Sequence, residues 1–114
     1  MFKNCTSLIS GPIELPATTL KANCYDSMFN GCSALTNPPN IFATTLASYC
    51  CANMFEGCIS LVNTPELHTV ILAESCYNGM FKNCTALIEA PELSTTSLAR
   101  SCYYGMFNGC TSLT

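Results

Sequence analysis

The chain has 114 residues, enough for one small domain, and a formal net charge of −3. Its four Lys and Arg residues are scattered, which argues against the basic face that nucleic-acid binding needs. Apolar residues make up 49% of the chain, yet no apolar run approaches the roughly 18 residues of a membrane span. The opening MFKNCTSLIS lacks the pattern of a signal peptide, so we expect any export signal to lie outside this sequence.

One repeated unit accounts for the whole chain. The dipeptide Met-Phe recurs at steps of 27, 26, 26 and 26 residues, beginning at Met1, Met28, Met54, Met80 and Met106. Columns of cysteine and leucine follow at fixed offsets, namely Cys5, Cys32, Cys58, Cys84 and Cys110, and Leu8, Leu35, Leu61, Leu87 and Leu113. We therefore divide one domain, residues 1–114, into repeats 1–27, 28–53, 54–79 and 80–105 and a partial repeat 106–114. Neither end resembles a polar capping repeat, so we expect a slice of a longer array or ends covered by other chains.

The segment that leads into each Met-Phe predicts a short helix. Leu20, Cys24 and Met28 lie four residues apart, which is the spacing of one helical stripe. Thr18 or Thr19 stands at the expected N-cap, and Asn-Gly follows at the expected stop. We read the helix as packing its stripe inward.

The segment that follows each Met-Phe predicts a short strand. In CSALTN the side chain of Leu35 points inward between outward neighbours, and a proline follows that ends strand pairing. One strand and one helix per unit predict an α/β repeat solenoid of the leucine-rich-repeat type, with about four coils. Parallel strands would line one face and helices the other. The Cys, Leu, Met and Phe columns would form the core.

The motif MFxGCTSL, followed by APEL and TTLAxxCYxxMF, resembles the BspA-like (Treponema pallidum-type) leucine-rich repeats of bacterial surface proteins. The matching residues in one unit are Phe29, Cys32, Leu35 and Pro39, and the likeness extends over essentially the whole chain. The unit is longer here than the commonest repeat of that family. The resemblance implies a cell-surface or secreted location and a role in adhesion or host-protein binding.

Ten cysteines raise the possibility of disulfides or a metal site. No C-x-x-C pair occurs, so a zinc site is disfavoured. Disulfides between stacked columns remain an alternative, since their Cα atoms need only approach within about 7 Å. The favoured interpretation is that the cysteines are reduced, buried apolar fillers. Cys51 replaces the tyrosine of other repeats, and we predict that it is the most exposed thiol.

The sequence gives little evidence of a catalytic site. His68 is the only histidine and falls on a predicted loop, so no acid, base and nucleophile set can be assembled. We therefore expect a protein that is not an enzyme and that carries no cofactor or metal. The threonine pairs Thr18-Thr19, Thr44-Thr45 and Thr95-Thr96 could suggest an ice-binding array, but helix capping alone accounts for them and Val70-Ile71 interrupts the array. Glu14, Glu66 and Glu92 align beside the proline, where they favour a cation, a basic partner or plain solvation.

The best binding candidate is the outer side of the predicted strands. Its residues are small or mildly apolar, with two glutamates nearby: Ser7, Ile9, Ala34, Thr36, Ser60, Val62, Ala86, Ile88, Glu66 and Glu92. Such a smooth surface suits a protein partner better than a small molecule, which needs a concave pocket. We hypothesise a protein-interaction or adhesion module that binds through this face. The alternative is a structural rod or a subunit that stacks end to end, because open repeat ends template association.

Overall fold

The computed structural model describes residues 2–10, 14–15, 20–67, 72–91 and 99–113, with the backbone alone for residues 14–15. Its regular elements are two strands of two residues each, β1 (Glu14–Leu15) and β2 (Asn40–Ile41). The strands are parallel, with Glu14 opposite Asn40 and Leu15 opposite Ile41. Isolated bridges join Ser10 to Asn37 and Ile41 to Leu67.

The predicted α/β solenoid is wrong, and with it the leucine-rich-repeat assignment of the fold. No α-helix occurs among the described residues, and the parallel pairing of β1 and β2 spans only two residues. The radius of gyration is 12.6 Å, close to the roughly 13 Å of a compact domain of this size. The chain therefore folds as a compact unit built mainly from turns.

The segment predicted to be helical is a series of overlapping turns. Within it, amides bond to carbonyls three residues earlier, as from Met28 to Tyr25 at 3.1 Å and from Cys32 to Phe29 at 3.1 Å. An α-helix would instead bond each amide to the carbonyl four residues earlier. We call residues 21–35, 47–61, 73–87 and 99–113, with the shorter 2–8, the turn segments.

Left-handed residues explain why these turns do not become helix. Asn23, Ser27 and Gly31 have φ values of 61°, 56° and 78°, so every fourth residue leaves the helical region. Positive φ at the third residue of a four-residue turn is the geometry of a type II turn. The same period places Leu20, Met28 and Cys32 on the buried side, whereas Cys24, which was also predicted to point inward, is exposed. The spacing of four thus arises from turns, and Thr44 and Thr45 have no helix to cap.

Alternate amides of the turn segments, including those of the left-handed residues, bond to the next repeat. The amide of Phe29 donates to the carbonyl of Met54 at 2.9 Å, and that of Phe55 to Met80 at 2.8 Å. The amide of Phe81 continues this ladder to Met106 at 3.0 Å. In the turn segments 21–35, 47–61 and 73–87, about half of the amides are thus satisfied locally and half through the next repeat, which replaces the ladder of a sheet.

The strand prediction was misplaced. Leu35 lies in a turn, where its amide donates to the carbonyl of Cys32 at 3.1 Å. Parallel pairing occurs instead at Asn40–Ile41, after the buried Pro39. Proline itself cannot donate to a ladder, but it is tolerated at the start of a strand, so the residues that follow it are free to pair.

The predicted core columns are buried in the middle repeats, whereas most of their described members in the first and last repeats are partly or fully exposed. Leu35, Leu61 and Leu87 have no exposed surface, and the phenylalanine rings stack at centroid distances of 5.3–5.9 Å from Phe2 through Phe29, Phe55 and Phe81 to Phe107. Such spacing is within the range of favourable aromatic pairs. The core therefore runs from repeat to repeat as continuous columns of like residues.

Candidate functional site

The most coherent surface feature is a column of exposed side chains that immediately follows the buried leucines. It consists of Ile9, Thr36, Val62 and Ile88, which we call the strip. Ile9 is 61% exposed, Val62 40% and Ile88 44%. Exposed apolar side chains that recur at one position of successive repeats form a patch, whereas scattered ones need no explanation.

Backbone hydrogen bonds hold neighbouring members of the strip together. The amide of Thr36 donates to the carbonyl of Ile9 at 2.9 Å, and the Thr36 hydroxyl reaches the same oxygen at 3.4 Å. The amide of Ile88 donates to the carbonyl of Val62 at 3.3 Å. These bonds join the first repeat to the second and the third to the fourth, so the side chains are carried on a fixed backbone.

The small residues of the predicted face lie closer to the core than expected. Ser7 is exposed, but Ala34, Ser60 and Ala86 are half-buried. The Ser60 hydroxyl donates to the carbonyl of Ser33 at 2.7 Å, which joins two repeats. None of these residues, and none of the strip residues, belongs to β1 or β2, so the candidate face is formed by turns and irregular backbone and not by strands.

The glutamates of the predicted face are only partly described. Glu66 is exposed, and its amide donates to Oδ1 of Asn40 at 3.2 Å. The backbone of Glu14 lies in β1 opposite Asn40. Glu92 and the lone histidine, His68, lie outside the described residues, as do Thr18-Thr19 and Thr95-Thr96.

One column of thiols links consecutive repeats. The thiol of Cys58 donates to the carbonyl of Phe29 at 3.2 Å, and that of Cys84 to Phe55 at 3.0 Å. The thiols of Cys32 and Cys110 make the same contact with Phe2 and Phe81. Burial raises the pKa of Cys58 to about 12, so this thiol keeps its proton at neutral pH. These cysteines therefore act as buried donors rather than as nucleophiles.

The predicted exposure of Cys51 is wrong. Cys51 is fully buried, and its Sγ lies 3.8 Å from that of Cys50. The hydrogen bond with Cys50 and burial together hold the pKa of Cys51 well above its usual range. The exposed thiols are Cys5 and Cys24. Both lie in the first repeat, which has a described neighbouring repeat on one side only.

Within the described part of the chain, no group of three or more His, Cys, Asp or Glu residues is placed to hold a metal ion. In the same part no helix is long and apolar enough to cross a membrane. Every buried side-chain nitrogen or oxygen there has a hydrogen-bond partner. The strip is thus the feature of the described surface that stands out.

Comparison with known proteins yields no relative: no protein-family model, no curated protein and no solved structure matches the chain.

Proposed function

We propose that this chain is a non-catalytic protein-interaction module that binds its partner through the strip. The observation that supports this is a column of exposed side chains, three of them large and apolar, at one position in four successive repeats. Burial of apolar surface is the main favourable term in protein association, at about 25 cal/mol per Å². A contact of this kind needs a partner that spans several repeats, as a protein surface does.

We further propose a bacterial cell-surface or secreted protein as the setting, with adhesion as the role. This part of the proposal is supported by the likeness of the repeat motif around Phe29, Cys32 and Leu35 to bacterial surface proteins. The scarcity of charge fits a surface whose contacts are apolar, since charged residues are only 10% of the chain.

A photo-crosslinking amino acid at Thr36 tests the binding face. Thr36 lies in the middle of the strip and is exposed, so a benzophenone side chain there should capture a bound protein from a mixture of extracellular proteins. The same group at Thr111, exposed in the last turn segment, is the matched control. Capture at residue 36 that disappears in Val62→Thr/Ile88→Thr supports the proposal. Equal capture at both sites, or capture that survives the double substitution, rejects it.

A structural subunit that stacks end to end is the second candidate, and the amide ladder favours it. The amides of Gly105, Phe107 and Gly109 make no backbone hydrogen bond within the described residues, although their equivalents in earlier repeats do. Donors that lack a backbone partner among the described residues offer positions at which a second copy could pair. Sedimentation velocity over a range of concentrations tests this candidate, which predicts species that grow with concentration. A constant monomer mass, unchanged by Phe107→Glu, argues against it.

A further inference from the structure

The second repeat contains the only two adjacent cysteines of the chain, Cys50 and Cys51. In the other repeats a tyrosine follows the matching cysteine, as Cys24-Tyr25, Cys76-Tyr77 and Cys102-Tyr103. Neither Cys50 nor Cys51 has exposed surface, and their Sγ atoms lie 3.8 Å apart. No other two thiols among the described residues are hydrogen-bonded to each other. The two sulfurs are thus in direct contact inside the core.

The hydrogen bond within this pair makes one sulfur more reactive than the other. When Cys50 ionises, the thiol of Cys51 donates to its sulfur, and this bond lowers the pKa of Cys50 although burial opposes the change. The same bond and burial raise the pKa of Cys51, which therefore keeps its proton. In such an arrangement the thiolate attacks an oxidant and the neighbouring thiol completes a disulfide.

We propose that Cys50 and Cys51 are a site of reversible oxidation, at which a peroxide joins the two sulfurs in a disulfide. The Cys50 thiolate attacks one oxygen of hydrogen peroxide, the O–O bond breaks, and a sulfenic acid and hydroxide form. The thiol of Cys51 then attacks the Cys50 sulfur, the S–S bond forms, and the sulfenic oxygen leaves as water with the Cys51 proton. The hydroxide takes the proton that Cys50 lost. Two thiols are thus oxidised, and one peroxide is reduced to two waters.

The peptide unit between the two cysteines takes part in the amide ladder on both sides. The carbonyl of Cys50 accepts the amide of Tyr25 at 2.8 Å, and the amide of Cys51 donates to the carbonyl of Cys76 at 3.0 Å. Adjacent Cα atoms are only about 3.8 Å apart, whereas the Cα atoms of a disulfide usually lie roughly 4.4–6.8 Å apart. Joining the two sulfurs must therefore distort this peptide unit and weaken both hydrogen bonds.

Oxidation of this pair should thus loosen the contact of the second repeat with both of its neighbours. A disulfide between adjacent residues closes too short a loop to gain the stability that longer loops gain from a cross-link. A strained disulfide is also reduced more readily than an unstrained one. The pair therefore offers a reversible change that weakens the stack under oxidising conditions and restores it on reduction.

The test oxidises the variant Cys5→Ser/Cys24→Ser, which lacks the two exposed thiols. After treatment of the folded protein with hydrogen peroxide, mass spectrometry should show the loss of two hydrogen atoms, and digestion should yield a peptide in which Cys50 and Cys51 are linked. Dithiothreitol should restore the original mass. Hydrogen exchange at the amides of Tyr25 and Cys51 should be at least about fivefold faster in the oxidised protein, whereas the amide of Phe81 should be unchanged.

Cys51→Tyr in the same background is the matched control, because tyrosine stands at this position in the other repeats. This variant should not lose the two hydrogen atoms, and peroxide should leave the exchange at Tyr25 unchanged. Cys51→Ala, which needs no room for a ring, should behave in the same way.

Three outcomes would overturn the proposal. One is a disulfide that links Cys50 to a cysteine other than Cys51, or oxygen added to Cys50 while Cys51 is present. Another is oxidation of the pair only after unfolding in urea. The third is a linked pair whose amides at Tyr25 and Cys51 exchange as slowly as in the reduced protein, which would show that the disulfide does not act on the ladder.

Discussion

The side-chain oxygen Oδ1 of Asn53 occupies the space beside Gly79 in which a Cβ atom would stand. Both residues are left-handed, with φ values of 53° and 61°, and they hold the same position in successive repeats. The pairs Asn4 with Gly31 and Asn83 with Gly109 repeat this arrangement. In these three pairs, the asparagine of one repeat fills the space that a Cβ atom at the glycine of the next repeat would need.

Gly79→Ala should therefore destabilise the protein through two effects. The left-handed conformation costs a non-glycine residue about 1–2 kcal/mol, and the contact with Asn53 adds to it. Gly105→Ala is the matched control, since Gly105 has a φ of 62° but no atom within 4 Å of the place that an alanine Cβ would take. Urea denaturation should show a loss for Gly79→Ala that exceeds the loss for Gly105→Ala by at least about 1 kcal/mol. Equal losses of stability in the two variants would show that the Asn53 side chain moves aside without a cost in free energy.

Leu61→Ala should cost about 2–5 kcal/mol in unfolding free energy, because it removes a leucine with no exposed surface from the central repeats. Ile59→Ala, two residues away on a side chain that is 52% exposed, should change stability by less than about 1 kcal/mol. Chemical denaturation of both variants measures the difference. A cost below about 1 kcal/mol for Leu61→Ala would show that the leucine column does not belong to the core.

Thiol labelling should proceed in an order set by burial. Cys5 and Cys24 should react first because they are exposed, although partial burial and then the neighbouring Cys50 raise the pKa of Cys24 and slow it. Cys51 should be among the last to react. Mass spectrometry after timed alkylation of the reduced protein assigns each site. Early modification of Cys51 in the native state would contradict its burial.

Stability should fall as the pH rises above about 8.5. Burial raises the pKa of Cys58 to about 12 and that of Cys76 to about 11, whereas the unfolded thiols ionise near 8.5–9. As the pH rises, the thiols of the unfolded state lose their protons first, which lowers the free energy of the unfolded state. The free energy of unfolding therefore declines until the thiols of the folded state also ionise. Between pH 7.5 and 9.5 the loss should be about 1 kcal/mol for Cys58 alone.

Urea titrations at a series of pH values, with reductant present, measure this decline. Cys58→Ala is the control and should decline less steeply, since it lacks one of the thiols that ionise only on unfolding. Unchanged stability up to pH 9.5 would contradict the raised pKa values.

The sequence predicted the buried columns but not the backbone that carries them. Leu20, Cys24 and Met28 recur every four residues, and helical periodicity and a chain of four-residue turns are indistinguishable at that spacing. The distinguishing signal was present in Asn23, Ser27 and Gly31, because Asn and Gly repeated every fourth residue tolerate positive φ. This signal was missed because Asn-Gly was interpreted only as the end of a helix.

The candidate site was predictable in part. The exposure of Ile9, Val62 and Ile88 followed from their place beside the inward leucines, and the structure has them exposed. Their backbone was mistaken for a strand because a proline follows each segment. Cys51 was misjudged because it stands in a tyrosine column, yet Tyr77 of that column is itself only 1% exposed. A single residue that differs from the rest of its column does not show how deeply that column is buried.

The amide ladder also gives the molecule an electrical polarity. Each ladder amide points from an earlier repeat toward a later one, as from Tyr25 to Cys50 and from Tyr77 to Cys102, with the carbonyls pointing back. Each peptide unit carries a dipole of about 3.5 D, and dipoles aligned head to tail add as they do along a helix. Antiparallel sheets largely cancel this sum. The potential along the stack therefore becomes more positive toward residues 99–113, so an anion at that end would be stabilised and a cation there opposed.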